Sequence, residues 1–237
     1  MKKYLIALAA VAFFSLQSNA QMWLTTKAGG GLALASGYAG SVGGLSAIGG
    51  VGYKHQISKR MMIEGDILLD TRALLYPTNT FDADDKLIYF VGGGSYLQVP
   101  LTLQYMIPFK KKELIPYRVG QPKSYWFIEG GPYVSYGLSV NTFADPEVIS
   151  TWLALEDSIP AGNLTPRRID VGVTVGLGVN FSIRDGKNRL IFGTRSNYGF
   201  INMYKDARLG SASNLSAVGY IALDYSLTKR KHIKHRW

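Results

Sequence analysis

The chain has no cysteine, which excludes a disulfide framework and any thiolate metal site. Histidine is nearly as scarce, with only His55, His232 and His235. A histidine is the usual general base for a serine nucleophile, and these three fall in or beside basic turn and tail segments. A serine–histidine hydrolase is therefore unsupported, and no enzyme activity and no cofactor are expected. Beyond the amino terminus the chain also lacks any long hydrophobic run, although 47% of its residues are hydrophobic. That excludes a membrane-crossing helix of about 20 apolar residues. It does not exclude crossing strands, whose hydrophobicity is hidden in alternation, and the mean hydropathy of +0.04 is compatible with them.

Alternation is what the chain has in quantity. In residues 168–183, RIDVGVTVGLGVNFSI, one parity holds Ile169, Val171, Val173, Val175, Leu177, Val179, Phe181 and Ile183. The other holds Arg168, Asp170, Gly172, Thr174, Gly176, Gly178, Asn180 and Ser182. A period of two places these sets on opposite faces of a strand. The run exceeds the usual strand of about 5 to 6 residues and is long enough to cross a bilayer at a tilt. Its apolar face suits lipid, and its small and polar face suits the lumen of a barrel.

The amino end fits an exported protein. Lys2 and Lys3 precede an apolar run over 4–16 and then Ser18, Asn19 and Ala20, the layout of a cleavable signal peptide. The expected organisation is a signal peptide over 1–20, a barrel domain over 21–229 and a basic tail over 230–237. Export, together with charge spread around the turns, makes nucleic acid an improbable target despite a net charge of +10.

Strands are expected over 22–35, 45–54, 62–76, 96–109, 125–141, 168–183, 190–204 and 215–228. Eight is the smallest closed number among transmembrane barrels, and its interior is just filled by side chains. The expected fold is thus all-β, a closed antiparallel transmembrane β-barrel of about eight strands. This register turns Lys27, Glu64, Asp66, Asp70, Arg72, Glu129, Arg168, Asp170, Arg195 and Asp224 inward. Buried charge is costly unless paired. Because both signs are present in comparable number, the expectation is a salt-bridged plug and a poor pore. Pro100 and Pro132 fall within strands that need neighbours on both sides, where a missing N–H breaks the ladder; bulges, or shorter strands, are expected there.

An even strand count leaves both termini on one side, expected to be periplasmic. Connections over 37–44, 77–94, 142–166 and 205–213 then face outside. Those over 56–60, 110–123 and 184–188 face the periplasm with the tail, and their basic rim could meet anionic headgroups or a periplasmic partner. In the 142–166 loop, Asp145 could cap a short helix and Pro146 could open it. Val148, Ile149, Trp152, Leu153 and Leu155 recur there at helical spacing, as a candidate interaction surface on the barrel rim.

Other chemistry is weak. Asp84 and Asp85 read better as an acidic loop than as an aspartic-protease pair. His232 and His235 read as solvated tail residues rather than metal ligands. The Gly-x-Gly pieces at Gly50 and Gly52 and at Gly176 and Gly178 lie inside strands with no helix after them, so they are not nucleotide cradles.

Several segments together resemble a family: YLQVPLTLQY (96–105), GGPYVSYG (130–137), DVGVTVGLGVNF (170–181) and RSNYGFINM (195–203). They are similar to the small outer-membrane barrel proteins of the Bacteroidetes, the PorT-like family. The resemblance implies an outer-membrane barrel of about eight strands surrounded by outer-membrane lipid. It brings no catalytic residue, and it suggests an envelope or secretion-system protein as a partner. Three functional classes follow: an interaction barrel acting through its outer loops, a narrow transporter or secretion accessory, and a soluble exported ligand-binding barrel with its polar face outside.

Overall fold

The computed structural model describes residues 21–36, 42–58, 60–81, 87–109, 124–143, 167–183, 188–202 and 213–227. They form eight strands, β1 (Met22–Ser36), β2 (Val42–Gln56), β3 (Met61–Phe81), β4 (Leu87–Pro108), β5 (Ser124–Phe143), β6 (Ile169–Ile183), β7 (Asn188–Asn202) and β8 (Ser213–Ser226). Each strand pairs antiparallel with the next, and β1 pairs with β8, so the sheet closes on itself with no free edge. Following paired residues round the wall from Ser139 on β5 through Ser95, Thr71, Ala47, Gly30, Gly219, Thr194 and Leu177 returns to β5 at Ile128. This offset is the stagger that a tilted, closed barrel requires.

The faces sort as the alternation demands. Leu101, Val173 and Ile221 are 52%, 38% and 54% exposed, whereas Glu64 and Arg195 are 1% and 2% exposed. The apolar parity forms the outside of the cylinder and the charged parity its interior, the inverse of a water-soluble barrel.

Several boundaries differ from expectation. Most of the loop expected over 77–94 is strand, because β3 continues to Phe81 and β4 begins at Leu87. Those segments, PTNTF and LIYFVGGG, contain the β-branched and aromatic residues that suit strands, and only 82–86 between them lie outside the described residues. Similarly, β2 begins at Val42, inside the expected turn. Arg168 stands one residue before β6 and is exposed, so it is not part of the lumen. The alternation in the sequence runs one position beyond the strand, since the β5–β6 ladder ends at Tyr136 and Ile169.

The prolines need neither a bulge nor a shortened strand. The β3–β4 ladder lapses between the pairs Gly65–Leu101 and Leu68–Gln98, which accommodates Pro100 with no change of register. The β4–β5 ladder lapses likewise between Pro100–Tyr133 and Leu103–Gly130, which accommodates Pro132. Each proline keeps its pairing on the other side, Pro100 with Tyr133 and Pro132 with Val173. The irregularity in β5 falls elsewhere: Ser95 faces Ser139 while Tyr96 faces Gly137, leaving Leu138 as the extra residue. The expected helix carrying Val148, Ile149, Trp152, Leu153 and Leu155 lies outside the described residues, as do Asp84, Asp85 and the 228–237 tail.

Candidate functional site: the charged lumen

Inward side chains meet in three layers. At the end holding Met22 and Ser226, Trp23, Met62, Met106, Tyr125, Phe127 and Ile191 are each no more than 1% exposed, and they belong to an apolar cluster that continues through Ala222, Tyr220, Val218 and Ile48 alongside the charged side chains. Arg189 lies against this cluster, with its guanidinium 4.7 Å from the Trp23 ring and 5.3 Å from the Tyr125 ring. It also donates to the Tyr125 hydroxyl at 2.9 Å and pairs in register with Asp224. A cation over desolvated aromatic faces is held by the ring quadrupoles.

Above the cluster runs an ion network that spans six strands. Lys27 on β1 reaches Glu64 at 2.6 Å and Asp66 at 2.7 Å, both on β3. Lys54 on β2 reaches Asp224 on β8 at 3.0 Å and Glu64 at 3.5 Å. Arg195 on β7 binds Asp66 and Glu129, the latter on β5, each at 2.9 Å. Glu129 also accepts from the Tyr220 hydroxyl at 3.4 Å. Bringing these groups this close depends on glycine at facing positions. A Cβ at Gly176 would stand 2.8 Å from Glu129 Oε1 and 2.6 Å from the Thr194 carbonyl oxygen, and one at Gly199 would stand 2.5 Å from Asp170 Oδ1.

The third layer lies toward the opposite end. Arg72 donates to Asp70 through Nε at 2.8 Å and Nη2 at 2.6 Å, and its Nη1 lies 3.6 Å from Asp170. Asp170 accepts from the Tyr133 hydroxyl at 2.9 Å and from Asn214 at 3.0 Å. Ser46 donates to Asp70 at 3.3 Å, and Arg72 stacks 5.2 Å from the Tyr96 ring.

Nine of the ten charged residues expected inside are therefore buried: Lys27, Glu64, Asp66, Asp70, Arg72, Glu129, Asp170, Arg195 and Asp224. Sequence reading missed Lys54 and Arg189, both at most 1% exposed. The odd parity of Arg195 on β7 would have found Arg189. Lys54 was hidden because the glycines of β2 obscure its faces. The acids are matched by lysine and arginine, which leaves, among the described residues, no group of three His, Cys, Asp or Glu side chains able to hold a metal. Chemically the arrangement neutralises and fills.

No family model matches the chain, and no curated protein matches it in sequence. Among solved structures the barrel is similar to OprG, an outer membrane protein of Pseudomonas aeruginosa, at 10% identity and a TM-score of 0.45, covering 86% of this chain and 96% of that one. It is also similar to Neisserial surface protein A, at 13% identity and a TM-score of 0.43, covering 84% and 95%. A third likeness is to Ail, the attachment invasion locus protein of Yersinia pestis, at 8% identity and a TM-score of 0.42, covering 88% and 99%. The closed eight-stranded antiparallel barrel is established by the chain's own strand pairing, independently of these likenesses.

Proposed function

We propose that the protein is an integral outer-membrane β-barrel with a filled lumen. In this reading the barrel anchors the connections at the end holding Ser36 and Phe143, and those connections engage a partner outside the cell. The observation that carries the reading is the outer surface. On β1 the lipid-facing residues run from Leu24 to Leu34. At about 3.3 Å per residue and a tilt near 40°, that run gives an apolar band about 25 Å tall, the height expected of such barrels. One border of the band carries a chain of rings: Phe109 lies 5.6 Å from Trp126 and 6.0 Å from Phe181, which lies 6.3 Å from Phe192. Nearby, Arg60 donates to the Tyr105 hydroxyl at 3.3 Å. Aromatic girdles with polar tips sit at the headgroup level of membrane barrels.

The layout of residues 1–20 supports export and the even strand count supports periplasmic termini, while the resemblance to PorT-like barrels carries the alternative of a secretion accessory. A transport path is disfavoured by the packed ion network. A soluble ligand-binding barrel would need the polar parity outside, opposite to the arrangement found. Fractionation and gel migration test the placement: the protein is expected with the outer membrane, migrating differently when unheated. Recovery as a soluble species would overturn this reading. Deleting 145–157 is expected to abolish binding to an outside partner while the barrel still folds; a cargo-export defect instead would favour the accessory.

A further inference from the structure

The outer wall is not uniformly bulky. Where β1, β8 and β7 run side by side, Gly30 faces Gly219, and Gly219 faces Thr194. These small residues floor an outward groove of about 640 Å³, rimmed by Trp126, Phe192 and Ile221. Trp126 and Phe192 belong to the aromatic border, and Gly30 stands near the middle of the Leu24–Leu34 run, so the groove lies within the apolar band. The barrel itself does not require this small floor. Beyond its chain neighbours, a Cβ at Gly30 would come no nearer than 3.7 Å to another atom and one at Gly219 no nearer than 3.9 Å, whereas one at the inward Gly29 would stand 2.3 Å from the Gly219 carbonyl oxygen. Glycine weakens a strand interior and often marks the close approach of another backbone.

Hydroxyl groups face the same hydrocarbon. Thr194 and Ser196 flank the buried Arg195 on the outward parity of β7, and neither hydroxyl has a partner among the described residues. Elsewhere on the outer face Thr71 and Ser95 serve each other at 3.2 Å. An acyl chain has no donor or acceptor, so it would fill the groove and leave both hydroxyls unpaired at a cost. A second copy of this barrel offers both, and in lipid, association is driven by close packing of small residues and by hydrogen bonds rather than by apolar burial. The wall is also self-complementary. Thr194 has the groove floor at Gly219 on one side and Leu177, 55% exposed, on the other. Copies that cross the membrane in the same sense are related by a two-fold axis along the bilayer normal, and such an axis at Thr194 sets the Leu177 of each copy over the groove of the other. We propose that the protein forms a two-fold dimer in the membrane through its β7–β8–β1 wall, with Leu177 seated in the groove and the Thr194 hydroxyls of two copies sharing a hydrogen bond. This inference rests on the membrane reading proposed above.

The chain's lack of cysteine makes a direct test possible. Rows of paired residues descend from β1 through β8 and β7 to β6, so Ala217, two residues nearer the Ser36 end than Gly219, stands nearly above Thr194 along the barrel axis. It therefore lies close to the two-fold. Ala217→Cys and, on the far wall at β4, Val99→Cys are made singly in the full chain, refolded into phosphatidylcholine vesicles at a low protein-to-lipid ratio and oxidised with copper phenanthroline. A disulfide needs Cβ atoms within about 4.5 Å, so Ala217→Cys is expected to give a cross-linked dimer and Val99→Cys to stay monomeric. Adding Gly219→Leu, or Gly30→Leu if the first does not fold, is expected to cut the Ala217→Cys dimer by about tenfold or more in a barrel that still migrates heat-modifiably. Thr194→Val is expected to weaken it as well, and a dimer indifferent to Thr194→Val would refute the hydroxyl pair. An uncross-linked Ala217→Cys in a folded barrel, equal cross-linking of both cysteines, or a dimer that survives the leucine would overturn the dimer and leave the groove to acyl chains. Modification of Val99→Cys by a maleimide confined to water would instead overturn the membrane reading, so the two failures are distinguishable.

Discussion

The two buried ion clusters share residue types but differ in reach. In the middle of the lumen Lys27, Lys54 and Arg195 each bind carboxylates from other strands, so the network ties β1, β2, β3, β5, β7 and β8 across the barrel. Toward the Ser36 end Arg72 finds its shortest contact on its own strand, with Asp70 two residues away, and Asp170 is served mainly by the neutral donors Tyr133 and Asn214. The first cluster is a cross-brace and the second a local pair with neutral support. The lesson is that a buried ion pair's importance depends on what remains for its partner when it is lost.

The strongest way to break that contrast is Arg195→Met, which leaves Asp66 with Lys27 alone and Glu129 with only neutral donors. Losing one partner of a buried pair costs about 3 to 5 kcal/mol, expected as a lower urea midpoint for unfolding from lipid vesicles. Arg72→Met should cost less, about 1 to 3 kcal/mol in the same measurement, because Asp70 keeps Ser46 and Asp170 keeps Tyr133 and Asn214. A larger loss for Arg72→Met than for Arg195→Met would reverse the comparison. Tyr133→Phe removes one hydrogen bond to a carboxylate and is expected to cost about 1.5 kcal/mol, the lower end for a bond to a charged group, because Asp170 keeps Asn214. Its effect should couple to that of Arg72→Met in a double-mutant cycle, since both residues contact Asp170, and should add independently to Arg195→Met. Smallest is Thr71→Val on the outer face, where the hydroxyl meets only Ser95 at 3.2 Å. It is expected to change stability by no more than about 0.5 kcal/mol.

The same alternation that made the fold legible also marks its limits. Parity alone separates Glu64, Asp66 and Asp70 from Ile63, Ile67 and Leu69, and it needs no partner strand to do so. Residues at strand ends were harder. Arg168 obeys the parity but falls outside the ladder, and Arg189 belongs to the ladder but stands one residue before the expected strand. The buried aromatic cluster has no counterpart in the sequence expectation, because apolar residues are expected outside. Trp23, Met62, Tyr125, Phe127 and Ile191 lie on the inward parity, where a simple rule of greasy outside and polar inside has no place for them. Pro100 and Pro132 read as obstacles in one dimension, yet paired strands absorb each of them by a lapse in a single ladder.

By itself the amino-acid order determined the face on which each side chain stands, since a period of two is a local property of an extended backbone. From this came the strand count, the inverted polarity and nine of the lumen charges. Only closure of the cylinder decided which charges meet, because Arg195 and Asp66 lie 129 residues apart and are joined by the stagger of the strands round the barrel. Closure likewise gathered bulky inward residues from β1, β3, β4, β5 and β7 at one end, where side chains from separate strands converge to fill a narrow interior.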